Sequence, residues 1–272
     1  MNTRYSKLTL AFLLLLLVVP QVGADEPPKD GKHVEHYENG KKKSEHHYKD
    51  SKKHGLQAQW HENGQKWMEA HWKNGHQDGL ETWWYENGKK GSEAHWKIGK
   101  KDGLLTWWYR NGQKQLERPW KNGLQEGLET WWHSNGQKKR EGHYKNGKKE
   151  DLYTGWNESG RKKGEGHYRN GKLEGLYTGW YESGRKKEEG HWRNGELDGL
   201  WTAWHENGQK ERERHYKNGK LVSASAWKWN GEPCPITRIV DGSGIFVYWH
   251  ENGQKQTETQ YKDGKVVSRK EF

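Results

Sequence analysis

The residues best suited to chemistry in this chain are Glu and His placed two apart, at Glu69/His71, Glu93/His95, Glu141/His143, Glu165/His167, Glu189/His191 and Glu213/His215. In an extended strand each pair projects from one face, which invites a ladder of metal ligands or acid–base dyads. Spacing argues against it. The pairs recur at multiples of 24 residues, two strands apart in a hairpin array or about 9.6 Å, too far for neighbours to share an ion whose ligands sit about 2 Å away. Two ligands per unit make a weak site, so the pairs read as a solvated face with cross-strand contacts. No unit assembles a nucleophile, a base and an oxyanion site, and no Walker loop, HExxH or dinucleotide fingerprint occurs. The expectation is a protein without catalytic residues, metal or cofactor.

A second set is aromatic. Trp83, Trp107 and Trp131 each precede another Trp by one residue, so each points to the opposite side from its neighbour. Flanked by Tyr85, Tyr109 and His133, they form a strip on the polar side suited to sugar rings, peptides or an aromatic-rich partner. The competing reading is that the strip packs under a curled sheet or in a dimer. Basic loops at 41–43, 161–163 and 185–187 contribute to a net charge of +11. Diffuse positive charge attracts anionic glycans, head groups or nucleic acid; with Glu interleaved almost everywhere it reads as a solvated face.

The elements that must position these residues are set by glycine. First-turn glycines stand at 40, 64, 88, 112, 136, 160, 184 and 208, a strict period of 24, and second-turn glycines at 75, 99, 123, 147, 171, 195 and 219. Runs rich in Thr, Trp and Tyr lie between them, the pattern of antiparallel strands joined by hairpins. The fold class predicted is all-β, an elongated and curved array of about 20 strands. A three-residue first loop, Glu86-Asn87-Gly88 with Gly88 left-handed, gathers Leu80, Thr82, Trp84, Ser92, Ala94 and Trp96 on one face, and a loop Lys97-Ile98-Gly99 of the same kind extends it. The inner ladder on this register is Trp60, Trp84, Trp108, Trp132, Trp156, Trp180, Trp204 and Trp249, joined by second-strand aromatics such as Trp72, Trp96 and Trp120. Small residues at Ala70, Ala94, Gly142, Gly166 and Gly190 leave room for a neighbouring indole. Stacked indoles then replace an aliphatic core, each contributing about 2–3 kcal/mol.

Composition agrees. Only 29% of the 272 residues are hydrophobic, yet 19 are Trp and 13 Tyr, far more aromatic surface than disordered chains carry. Residues 1–24 read as a secretory signal, with Arg4 and Lys7, an apolar run from Leu8 to Val19 and a small-residue site ending at Ala24. The run is shorter than the roughly 20 residues that span a bilayer, so no stable membrane insertion is expected after its removal. Residues 25–32 form a short linker, 33–220 the 24-residue repeats, and 221–272 irregular repeats and a cap in which Ile245, Val247 and Trp249 close the array. The single cysteine, Cys234, excludes internal disulfides and reads either as a buried, inert thiol or as an intermolecular partner.

The stretch YRNGKLEGLYTGWYESGRKKEEGHWRNGELDGLWTAWHENGQK, residues 168–210, resembles the bacterial variant MORN repeat of the YwqK-type antitoxin-like proteins. The shared pattern is aromatic-x-Asn-Gly-Lys, a Gly-Leu step, then aromatic-x-x-Asn-Gly, and it runs over about residues 33–268. The resemblance implies a β-hairpin array used for binding, with no catalytic residues. An export signal is at odds with neutralising a cytoplasmic toxin. The expected function is therefore an exported, non-enzymatic protein-binding or scaffold surface. The alternative is a cell-envelope glycan-binding module using the Trp strip. The partner expected is a protein or envelope polysaccharide rather than nucleic acid.

Overall fold

Glycine turns and the Thr-, Trp- and Tyr-rich runs between them build one antiparallel meander. A computed structural model describes residues 29–272 apart from Pro235 and Glu251; the predicted signal segment 1–24 lies outside the described residues. Twenty-three strands, from Gly31–His36 to Lys265–Glu271, pair with their sequence neighbours in one open sheet, and no helix occurs among the described residues. The first strand begins inside the stretch read as linker. The count exceeds twenty partly because two strands are interrupted, as Lys52–Lys53 with Gly55–Trp60 and Leu124–Gln125 with Gly127–Trp132.

The two turns of each unit differ. In the first, the Tyr85 amide donates to Lys89 O at 2.9 Å and the Gly88 amide to Tyr85 O at 2.9 Å, closing the three-residue loop with Gly88 at φ 77°. The second is a correction: Lys97 pairs directly with Lys100, and Ile98 and Gly99 have φ of 49° and 72°. That is a two-residue turn with both residues left-handed, whose twist matches the flanking strands.

A further correction concerns the faces. Trp84 opposes Lys90 but Trp83 opposes Ser92, so the second strand spends one extra residue, Gly91, in a bulge just after the first turn. Past the bulge Thr82 faces Glu93, and Glu81 faces Ala94. Trp84 and its ladder therefore share a face with the Glu and His pairs, while Trp96, Ala94 and Trp83 occupy the other. The same slip recurs at Trp60, Trp108, Trp132, Trp156, Trp180, Trp204 and Trp249.

On the ladder face the indoles do not stack on one another. Each is half-buried, and every one from Trp60 to Trp204 carries a lysine ammonium from the preceding unit 4.8 to 6.0 Å from a ring centre: Lys66 lies over Trp84, Lys90 over Trp108 and Lys186 over Trp204. The same lysines hold carboxylates three residues on, as in Lys90–Glu93 at 2.5 Å and Lys186–Glu189 at 2.7 Å. Thr82, Thr106, Thr130, Thr154, Thr178 and Thr202 are buried between those glutamates. Such half-exposed ion pairs contribute at most about 1 kcal/mol each, as do the cation–aromatic contacts, but they repeat along the sheet. One ladder member was missed. Trp227 sits under Lys210 at 5.3 Å, one residue early because the period slips there; counting four back from Gly231, as Trp84 stands four before Gly88, finds it.

The face opposite the ladder is packed by size matching. Ala94 faces Leu105, whereas Gly142, Gly166 and Gly190 face Tyr153, Tyr177 and Trp201. A Cβ on Gly142 or Gly190 would run into the facing ring. The small positions thus make room for a cross-strand ring of the next strand, not for the ladder indoles. At the carboxy-terminal end Leu221, Ala224, Ala226, Cys234, Ile239 and Phe246 form a small apolar core, with Trp249 and Tyr261 packed against it. Cys234 is free and buried there, and burial pushes its thiol pKa up.

Ile98 stands where six other second turns place Asn, all at φ between 49° and 53°, and a β-branched residue is strained in that region. Ile98→Asn is expected to stabilise the protein by about 1 kcal/mol, read as a raised urea midpoint; an unchanged or lowered midpoint would contradict this account of the turn.

Candidate functional site

Turn side chains rivet each unit to the next. The Tyr85 hydroxyl donates to Trp108 O at 2.7 Å and the Tyr109 hydroxyl to Trp132 O at 2.8 Å, a clasp repeated by Tyr37 and Tyr181. His133 Nε2 takes the place at 3.1 Å from Trp156 O. Turn asparagines donate across to the following turn, as Asn87 Nδ2 does to Arg110 O at 3.2 Å and Asn135 Nδ2 to Glu158 O at 2.8 Å. Where Ser159 and Ser183 replace Asn, Arg161 and Arg185 reach the same carbonyl positions, at Glu182 O (3.0 Å) and Glu206 O (2.9 Å). The second turns are joined by the Gly99 amide donating to Gln77 O at 2.8 Å and by acids 20 residues upstream, such as Glu126 accepting the Asn146 amide at 2.8 Å. Tyr85 and Tyr109 therefore spend their hydroxyls on the fold.

The Trp strip lies on the face opposite the Glu and His pairs, not among them. Its row runs Met68, Trp83, Ser92, Trp107, Leu116, Trp131, Arg140 in direct cross-strand register. Trp67 meets Trp83 edge-on at 4.8 Å, and Trp107 meets Trp131 edge-on at 6.0 Å. Trp131 carries the Arg140 guanidinium 4.3 Å and the Arg118 guanidinium 5.7 Å from its ring centre. On the same face, buried Ala94, Leu105 and Leu116 pack with Trp96, Trp120 and Trp131. Buried Glu129 accepts from Arg118 Nε at 2.6 Å and Gln125 Nε2 at 3.0 Å. The strip packs against a small core, with Trp131 covered by two guanidiniums while Trp67 and Trp107 stay exposed.

Beyond Arg140 the same row empties. Arg140 faces Gly155, Gly155 faces Gly164, Gly164 faces Gly179, and Gly179 faces Glu188. A groove of about 740 Å³ opens there, edged by Lys139, Lys163, Lys187 and Tyr181 and floored by Gly155 and Tyr153. Lys149 Nζ lies 3.7 Å from the Tyr153 ring centre; burial lowers the Lys149 pKa and pushes that of Tyr153 up to about 12.

On the ladder face, Leu104, Leu128, Leu152, Leu176 and Leu200 are 41–44% exposed. The last four face His143, His167, His191 and His215. Sequence reading placed the Gly-Leu step inside; its signal as a surface stripe was the histidine column opposite. Among the described residues no three His, Cys, Asp or Glu side chains gather into a metal-ligating group.

An open antiparallel sheet of near-identical two-strand units, each held to the next at both turns, defines a repeat protein. The family is shown by sequence: the MORN repeat variant matches at 29–50, 53–74, 77–97, 101–122, 125–146, 173–194, 197–218 and 243–263, and the chain belongs to that family. The unmatched unit between 146 and 173 carries Asp151, at φ 59°, where its neighbours carry Gly127 and Gly175. No curated protein matches the chain. Among solved structures, "Crystal Structure of TcdB2-TccC3" aligns over 87% of this chain and 17% of its own length, at 10% identity and a TM-score of 0.21. This chain thus spans under a fifth of that one, and so loose a likeness carries no argument.

Tyr85→Phe removes one clasp and leaves the Trp108 carbonyl without its donor. It is expected to cost about 1 kcal/mol, seen as a lower denaturant midpoint at unchanged slope; wild-type stability would mean that the clasp contributes nothing.

Proposed function

We propose that the protein is exported and acts without catalysis, as a ribbon along which a protein partner is held. The leucine stripe carries this reading. Five large apolar side chains stand two strands apart, about 9.6 Å, with histidines between several of them, and the fold gains little from leaving them in water. A row of exposed leucines repeated at one spacing among polar residues offers a partner a periodic set of apolar anchors. The open sheet supports the same reading, since each added unit lengthens the surface without altering its chemistry. Export rests on the amino-terminal run Leu8 to Val19 and the small residues ending at Ala24.

A second reading, a module for cell-envelope glycans, draws its support from the glycine-floored groove rather than from Trp83, Trp107 and Trp131. Capture on the immobilised protein from native envelope fractions is expected to retain a stoichiometric protein that Leu128→Glu/Leu152→Glu fails to hold. Equal retention by that double variant would remove the stripe from the account. Mass spectrometry of the protein from its host is expected to find a chain beginning at Asp25, and a chain still carrying residues 1–24 in a cytosolic fraction would contradict export.

A further inference from the structure

Three independent columns change together over the same units. The strip row holds Trp83, Trp107 and Trp131 in its first strands and then Gly155 and Gly179. Its second-strand members change from Met68, Ser92 and Leu116 to Arg140 and Gly164. The bulge column runs Trp67, Gly91, Gln115, then Lys139, Lys163 and Lys187, then Glu211. Side chains are withdrawn from the floor where three successive lysines line the rim, and nowhere else in the array do those two changes coincide. A fold requirement does not explain this, because the preceding units close the same row with Trp83, Trp107 and Trp131 and the following unit fills it with Glu188, Ala203 and Arg212.

The groove crosses five strands, about 19 Å, perpendicular to the chain direction. A neighbouring depression of about 240 Å³ continues it, sharing Tyr153, Gly155 and Lys163 and adding Gly164 and Tyr177. Five cations, Lys139, Arg140, Lys149, Lys163 and Lys187, stand against two rim carboxylates, Glu158 and Glu182, and the Glu188 side chain lies against Gly179 at the far end. Strand amides and carbonyls beneath are already paired in the sheet, so an incoming peptide would find no main-chain partners. Sugar chains need none: Lys149 and Lys187 already cover the Tyr153 and Tyr181 rings at 3.7 and 5.6 Å, so sugar rings rest on the glycine floor and their acidic groups reach the lysines.

We infer that this groove binds a strand of an acidic, uronate-type polysaccharide, its rings laid across Gly155 and Gly164 and its carboxylates met by Lys139, Lys163 and Lys187. Successive lysines stand two strands apart, about 9.6 Å, close to the length of a disaccharide, so every second sugar can present a carboxylate to one of them. The inference rests on the glycan reading and is independent of the leucine stripe, which lies on the opposite face.

Calorimetric titration of the mature protein with galacturonate and mannuronate hexamers tests it. Saturable binding of at least one hexamer is expected, weakening as salt rises from about 0.05 to 0.5 M. Gly155→Trp, which restores the ring of the earlier units, is expected to abolish binding, and Lys163→Glu to weaken it about tenfold; Lys145→Glu, outside the groove, should leave it unchanged. If Gly155→Trp fails to fold by circular dichroism, Lys163→Glu and Lys187→Glu decide. Equal binding of the methyl-esterified hexamer would overturn the acidic-chain inference while leaving the glycan reading standing. Polyglutamate binding as tightly, with the same Gly155→Trp sensitivity, would assign the groove to an acidic peptide instead. Binding of neither hexamer, or wild-type binding by Gly155→Trp, would overturn the inference.

Discussion

One surplus residue after each first turn decides which side chains meet. Because Gly91 and its counterparts have no partner, every second strand enters the sheet shifted by one, and in a strand a shift of one exchanges the faces completely. The Lys90 side chain and its equivalents are thereby carried next to the following indole and the following glutamate. The bulge also turns residues such as Trp67, Lys163 and Lys187 towards the face that holds the strip and the groove. Remove it and the Trp–Lys comb, the Glu–Thr ladder and the basic rim are all lost together.

With so few aliphatic residues, order comes from many contacts of modest size. Half-buried indoles under lysine, threonines sealed between glutamates and rings seated over glycine each contribute little alone. Their sum is large because successive units repeat them, the ring-over-glycine contacts in the units of Gly142, Gly166 and Gly190, and because neighbours share both turns. A cation over a ring also tolerates water on its far side, which suits a single sheet lacking a covering layer. The apolar core at Leu221, Ile239 and Phe246 is confined to the end where the repeat becomes irregular.

Much of the fold was legible in the sequence, since Asn-Gly spacing and aromatic runs mark turns and strands directly. The three-residue first loop and the common side of the Trp ladder followed from the same letters. Face assignment did not, because the bulge position runs through Trp67, Gly91, Gln115, three lysines and Glu211, and no residue type common to all units marks it. The second turn misled through Ile98, which hides a conformation that Asn74 and Asn122 announce. Tyr85 and Tyr109 looked like an exposed platform because a hydroxyl bond to a carbonyl 23 residues on leaves no local trace. The groove was invisible for a related reason: Gly155 and Gly164 read as ordinary strand glycines until register sets them side by side.

Riveting at both margins has a mechanical consequence. Since the Tyr and Asn bonds fasten one margin and the Gly99-type bonds the other, adjacent modules cannot hinge about either margin without breaking bonds at both. Bending is then shared evenly along the length instead of concentrating at a weak joint, and a load applied at one end travels through every module in series. The protein is built to behave as a leaf spring, with its stiffness set by how many modules the gene encodes.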